Sequence, residues 1–132
     1  MRKEQFICPY TLYENLDELE PRDAELIRIA HEATKSAYAP YSKFHVGAAV
    51  RLANGAIVTG NNIENAAYPS GLCAERVAMF AAMAQYPGVA FEALAVTAHS
   101  ATQLISEPVA PCGACRQVML ETEHRYPGKM EV

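Results

Sequence analysis

Apolar residues recur at helical spacing after Pro21: Leu26, Ile27, Ile29, Ala30, Ala33 and Ala37 form one stripe. Pro21 suits a first helical turn, and Asp23 and Glu25 suit the positive end of the helix dipole. A helix is therefore predicted from Pro21, stopping before Pro40 because the residue ahead of a proline disfavours helical dihedrals. Phe44 to Leu52 reads as a strand, Asn54-Gly55 as a hairpin turn, and Ala56 to Asn61 as the returning strand. Cys73 to Ala84 is rich in Ala, Met and Glu, which predicts a second helix stopped by Pro87-Gly88. Phe91 to Ala98 is almost continuously apolar, the pattern of a strand covered on both faces. A third helix follows Pro111-Cys112-Gly113-Ala114-Cys115, running through Arg116 to Glu121 and ended by Pro127-Gly128; Lys129 to Val132 begins another strand.

The order helix, hairpin, helix, strand, helix, strand implies an α/β domain. The expected architecture is a three-layer αβα sandwich on a mixed β-sheet. Residues 1–20 read as an N-terminal arm ending in the acidic segment Glu14 to Glu20, and residues 21–132 as one domain. A chain of 132 residues with 51% hydrophobic and 20% charged residues is ordinary for a single globular domain. No apolar stretch is long enough to span a bilayer, and the first residues lack an apolar signal core, so a cytoplasmic protein is expected.

The formal net charge of −4 argues against a polyanion binder, which needs a basic face, and favours a small neutral or mildly polar substrate. The four cysteines narrow the chemistry. Cys112 and Cys115 have metal-ligand spacing, and Cys73 is a third sulfur at the start of another helix. Helix N-termini favour the thiolate, which is the metal-binding form. Two helix starts aimed at one spot make a soft trianionic site suited to Zn²⁺, and three protein ligands with a fourth position open is the catalytic pattern. Glu75, in the first turn after Cys73, can stand beside the metal without ligating it, where a general acid/base belongs. Three thiolates and Zn²⁺ sum to −1, so such a site resists ionising its water. A hydrogen bond from Arg76 to a ligand sulfur, worth roughly 1.5–3 kcal/mol, would offset part of that resistance.

Taken alone, Phe44 reads equally as core, and Asn62 and Glu64 as loop residues. His31, His45, His99 and His124 have no ligand spacing, and Met79, Phe80 and Met83 read as core or subunit interface. Together, however, four strings resemble the small, all-cysteine type of cytidine deaminase in order and spacing. They are Ala39-Pro40-Tyr41-Ser42-Lys43-Phe44-x-Val46-Gly47-Ala48-Ala49, Asn62-Ile63-Glu64-Asn65-Ala66, Cys73-Ala74-Glu75-Arg76, and Pro111-Cys112-Gly113-Ala114-Cys115-Arg116-Gln117-Val118. The similarity covers about residues 25–120. Cys73 stands where the wider superfamily more often has histidine.

The resemblance implies a cytidine deaminase-like fold and one Zn²⁺ per subunit held by Cys73, Cys112 and Cys115. It implies hydrolysis of cytidine and deoxycytidine to uridine, deoxyuridine and ammonia in pyrimidine salvage: zinc-bound hydroxide attacks C4 and Glu75 shuttles the proton. It assigns Asn62 and Glu64 to the ribose hydroxyls, Phe44 to the wall of the base pocket, and the backbone N–H of Ala74 to the base O2. Arg76 and Gln117 become supporting residues around the zinc, and the assembly a homotetramer whose sites neighbouring subunits complete. No nucleic acid or membrane partner is implied. In the family the chain continues past the third helix through further strands to a C-terminal helix and an aromatic tail; this sequence stops at Val132, so its C-terminal end reads as incomplete. Asn61 replaces a cysteine common in the family. Three competing readings are a structural zinc domain with Cys8 as fourth ligand, a deaminase of cytosine in nucleic acid, and a deaminase of a nucleoside-like antibiotic.

Overall fold

The computed structural model describes residues 1–5, 7–102, 105, 107–126 and 128–132. Helix α1 runs Pro21–Ala33, with the proline in its first turn, and passes into a 3₁₀ turn over Thr34–Ser36 before Pro40. Strands β1, Phe44–Leu52, and β2, Ile57–Asn61, form the hairpin around Asn54-Gly55. Its turn closes with the Gly55 N–H donating to Leu52 O at 2.8 Å. Helix α2 is Ala74–Gln85, strand β3 is Phe91–Ser100, and helix α3 is Gly113–Arg125. The third helix thus begins three residues ahead of Arg116 and ends at Arg125; Pro127, its expected stop, lies outside the described residues. Every described residue from 1 to 18 is exposed, and this arm contains one 3₁₀ turn at Leu16–Glu18 capped by the Asn15 side chain. Among the described residues no helix is long and apolar enough to cross a membrane.

The sheet order is β2-β1-β3 with both pairings antiparallel. Among the described residues, the parallel pairing expected of a mixed sheet is confined to two isolated bridges, Tyr38 to Ile63 and, on β3 where the expected last strand begins, Ala93 to Glu131. The two hydrogen bonds of the Ala93–Glu131 bridge are Leu94 N–H to Glu131 O at 2.7 Å and Glu131 N–H to Glu92 O at 2.9 Å. Side chains alternate across the sheet and divide the core into two layers. Ala48, Val50 and Leu52 of β1 join Ala78, Met79 and Ala82 of α2 and Cys115 and Met119 of α3. Ala49, Ala93 and Ala95 face the opposite way, against Leu26 and Ala30 of α1. The strand most completely covered is β1, buried without a break from Gly47 to Leu52. In β3 only Ala93, Leu94 and Ala95 are consecutively buried, and Val96 to Ala98 are half-buried. The polar interruption at Arg51 hides this from the hydropathy pattern. Its guanidinium lies over the start of α1, donating to Asp23 at 2.7 Å, to Arg22 O at 3.1 Å and to Glu92 at 3.3 Å.

Two glycines set how closely the helices approach. A Cβ on Gly47 would collide with the Ala30 carbonyl of α1, and one on Gly60 with Ala78 N and Ala74 O of α2. These are backbone atoms within helices, so neither contact can be relieved by a rotamer change. Gly60 therefore fixes the seat of the helix that begins at Cys73. Gly60→Ala is expected to cost roughly 1–3 kcal/mol of stability and to lower zinc content in the same preparation. Urea unfolding midpoints and metal analysis would check both.

Candidate active site

Both metal-ligand segments are helix starts. Cys73 is the N-cap of α2 and Cys112 the N-cap of α3, each with extended backbone and neither side chain capping its helix. Both sulfurs are therefore free to turn toward a common point at the positive ends of two helices. Cys115 sits one turn into α3 and is fully buried. The Cys73 and Cys112 sulfurs are 3.8 Å apart, those of Cys112 and Cys115 are 3.4 Å apart, and all three lie within 4.8 Å of one another. Tetrahedral coordination with zinc–sulfur bonds of about 2.3 Å requires sulfurs about 3.8 Å apart, so the cluster fits the ion. Cys8 is exposed in the arm and is not part of it.

Electrostatics distinguish the sulfurs. The backbone N–H of Cys115, followed by the Cys115 side chain, draws the Cys112 thiol below its ordinary range. Burial, followed by the neighbouring Cys112 sulfur and the charge of Glu75, pushes Cys115 upward. Zinc would relieve this crowding of negative charge by holding all three as thiolates. Arg76 Nη2 donates to Cys73 Sγ at 3.5 Å, and this contact is the leading reason its guanidinium is held even more firmly protonated. Its Nε is buried without a partner among the described residues.

Two clefts meet at Cys73 and Asn62. The first, about 440 Å³, is lined by Val46, Ala74, Glu75 and Cys112, with Val96 to Ala98 and the segment around Pro108 as its far wall. Glu75 is only 5% exposed, yet it reaches this cleft. The second, about 680 Å³, contains Tyr41, Ser42, Glu64, Tyr68 and Arg76. Asn62 ties this region to β1: its Oδ1 accepts from Val46 N–H at 2.8 Å and its Nδ2 donates to Phe44 O at 2.9 Å. Glu64 Oε2 accepts from Tyr41 N–H at 2.8 Å and from Ser42 N–H at 3.3 Å. The Ser42 side chain first, and then these two amides, hold the Glu64 carboxyl below the ordinary 4.5.

The fold therefore gathers Cys73, Ala74, Glu75, Arg76, Cys112, Cys115, Asn62 and Glu64 around two adjoining clefts. Phe44 lines neither; it stands half-buried at the mouth of β1, joined to the site through its backbone. Gln117 is exposed on α3, outside both clefts. Sequence reasoning missed Ser42 and the wall formed by Val96 to Ala98. Ser42 stood within one of the strings that carry the resemblance but was given no role there, its own signal being that of a turn-forming residue, and the wall carried none, because its residues read as buried strand.

An αβα domain with two helix starts converging on three sulfurs spaced for zinc, a buried carboxylate beside them and a cleft in front has the arrangement of a zinc-site hydrolase. The family model for the cytidine and deoxycytidylate deaminase zinc-binding region matches residues 20–126. The chain is 50% identical over 98 residues to cytidine deaminase of Sporosarcina psychrophila, covering 74% of this chain and 67% of that one. It is 46% identical over 96 residues to cytidine deaminase of Halalkalibacterium halodurans, covering 73% and 68%. The crystal structure of cytidine deaminase from Burkholderia pseudomallei superposes with a TM-score of 0.66 at 48% identity, covering 74% of each chain. The chain belongs to the cytidine and deoxycytidylate deaminase family, and Zn²⁺ is its cofactor.

Arg76→Ala removes the guanidinium donor from a ligand sulfur. Zinc affinity is expected to fall about 10–100-fold with the fold retained, measured by competition with a chromophoric chelator and by circular dichroism. Glu64 has a depressed carboxyl pKa, so its contacts stabilise the fold above the ordinary glutamate range and are lost as pH falls through the lowered value. Wild type is expected to lose stability more steeply than Glu64→Gln over that acidic window. The difference would be small and salt-sensitive because the carboxylate is exposed, and urea titrations from pH 5 downward would measure it.

Proposed function

We propose that this chain hydrolyses cytidine and deoxycytidine to uridine and deoxyuridine, releasing ammonia, in cytoplasmic pyrimidine salvage. The observation that carries this reading is Glu75, buried at the first turn of α2 yet facing a cleft shared with the Cys73 and Cys112 sulfurs. Such a carboxylate has little to do in a purely structural zinc domain, and a structural site would need a fourth side-chain ligand. Bound zinc would supply the Lewis acidity that brings water into its ionising range near neutral pH.

The protein's own groups then have distinct tasks. Glu75 takes a proton from the attacking water and passes it to N3 as the new C4–O bond forms, then takes the remaining proton from the C4 hydroxyl and delivers it to the amino nitrogen as the C4–N bond breaks and the C4 carbonyl forms. The products balance as uridine and ammonia from cytidine and water. Arg76 offsets the excess negative charge of three thiolates through its contact with Cys73. The backbone N–H of Ala74 meets the base O2, with Phe44 flanking the ring from the start of β1; Gln117, exposed on α3 and outside both clefts, takes no part in this scheme. Asn62 retains one Nδ2 hydrogen, and Glu64 retains acceptor sites, for the sugar hydroxyls. Two clefts sharing Asn62 and Cys73 suit a ligand of two parts, a base in one and a sugar in the other. A net charge of −4 favours a nucleoside over nucleic acid. Phe80, Leu120 and Tyr68 leave large apolar surface exposed, which favours a homo-oligomer, with a tetramer as the proposed state.

Glu75→Ala is expected to keep the fold and the zinc and to lose cytidine turnover by about 10²–10⁴-fold. The fall in absorbance as cytidine becomes uridine, followed beside metal analysis, tests this. Equal turnover by both proteins would remove Glu75 from the mechanism.

A further inference from the structure

We propose that Ser42 is a positioning residue for this reaction, joining the Glu64 carboxylate to the backbone of Phe44, a role that rests on the deaminase reading above. The segment leading into β1 runs beside Asn62 to Glu64. Tyr38 N–H donates to Asn62 O at 3.0 Å and Glu64 N–H returns to Tyr38 O at 2.8 Å. Beyond this ladder the chain leaves Ala39 in a turn closed by Lys43 N–H to Ala39 O at 3.1 Å. Lys43 has φ 57°, the left-handed region that disfavours residues with a Cβ. Such a backbone persists where its neighbours over-determine it.

The neighbours here are specific. Ahead of Lys43, Tyr41 and Ser42 give their N–H groups to Glu64. After it, Phe44 O is held by Asn62 Nδ2 at 2.9 Å, and Phe44 N–H donates to Ser42 Oγ at 3.1 Å. Ser42 bonds on both sides of the strained residue, with its backbone N–H to the carboxylate, which its side chain also stabilises, and its hydroxyl to the start of β1. The turn is exposed, so water competes for each of these groups, and the hydroxyl is what converts two separate contacts into one linkage. The carboxylate proposed to meet the sugar and the backbone of the residue proposed to flank the base are thereby set together.

The experiment compares wild type, Ser42→Ala and Ser42→Thr, all zinc-loaded. Amide hydrogen exchange at Phe44 reads the linkage without any turnover. Wild type should protect this amide, Ser42→Ala should exchange about fivefold faster or more, as expected for loss of a hydrogen bond worth about 1 kcal/mol, and Ser42→Thr should restore protection. Kinetics read the consequence. Ser42→Ala should lose about fivefold in kcat/KM on cytidine and by a similar factor on 2′,3′-dideoxycytidine, which lacks the hydroxyls that Glu64 and Asn62 would meet; Ser42→Thr should recover both. Unchanged exchange at Phe44 in Ser42→Ala would overturn the linkage. A loss confined to cytidine would also overturn the proposal, because Ser42 would then act on sugar binding alone. A wild type with a protected Phe44 amide that turns over neither nucleoside would overturn the deaminase reading, and the reaction role with it, while the linkage stood.

Discussion

Three sulfur atoms within 4.8 Å of one another dominate the electrostatics of this molecule. Three like charges that close repel strongly, and burial of Cys115 adds to the cost. The fold answers with positive potential from several directions. Two helices begin at cysteines and aim their N-termini at the cluster, and Arg76 reaches a ligand sulfur from the next position along α2 after Glu75. A divalent soft cation completes the compensation. Glu75, a fourth negative group beside the cluster, makes sense only with that ion in place, since its charge otherwise raises the Cys115 thiol further.

The convergence depends on how tightly the layers pack. Gly60 lets the backbone of α2 lie directly on β2, and Gly47 does the same for α1 on the other face of the sheet. The small side chains Ala48, Ala49, Ala74, Ala78 and Ala82 continue the pattern, so the helices rest close to a thin sheet. Close packing of this kind leaves little freedom for α2 to slide, which keeps Cys73 and Glu75 in one place relative to α3. Arg51 performs a related task at the opposite end of β1, where its contacts to Asp23 and Arg22 O tie the first turn of α1 to the sheet.

The rim of the site is built by different means. There is little apolar burial around Tyr41 to Phe44, and order comes from side chains that bond to backbone groups: Asn62 to Phe44 and Val46, Glu64 to Tyr41 and Ser42, Ser42 to Phe44. Asn62 and Glu64 therefore do structural work in addition to the ligand contacts proposed for them. Hydrogen bonds at an exposed rim are individually weak, and their strength here comes from sharing members.

Much of the framework was written locally in the chain. Pro21 and Pro40 bracketed the first helix, Phe44 to Leu52 matched its strand, Asn54-Gly55 marked the hairpin, and the cysteines named the metal ligands, because each signal acts over a few neighbouring residues. The three-thiolate set was legible for the same reason: Cys73 and the Cys112/Cys115 pair each announce a helix start. What hydropathy misjudged was burial. It made β3 the strand covered on both faces, where β1 holds that place, since the polar Arg51 finds its partners on a helix packed across the sheet. Only the tertiary structure brought Cys73 to Cys112 across 39 positions, turned Glu75 into the cleft, and set Glu64 against Tyr41 and Ser42 more than 20 positions away. Periodicity specifies which face of an element a residue occupies, but not which distant face will meet it, because that depends on the register of the sheet and the packing of its covering helices.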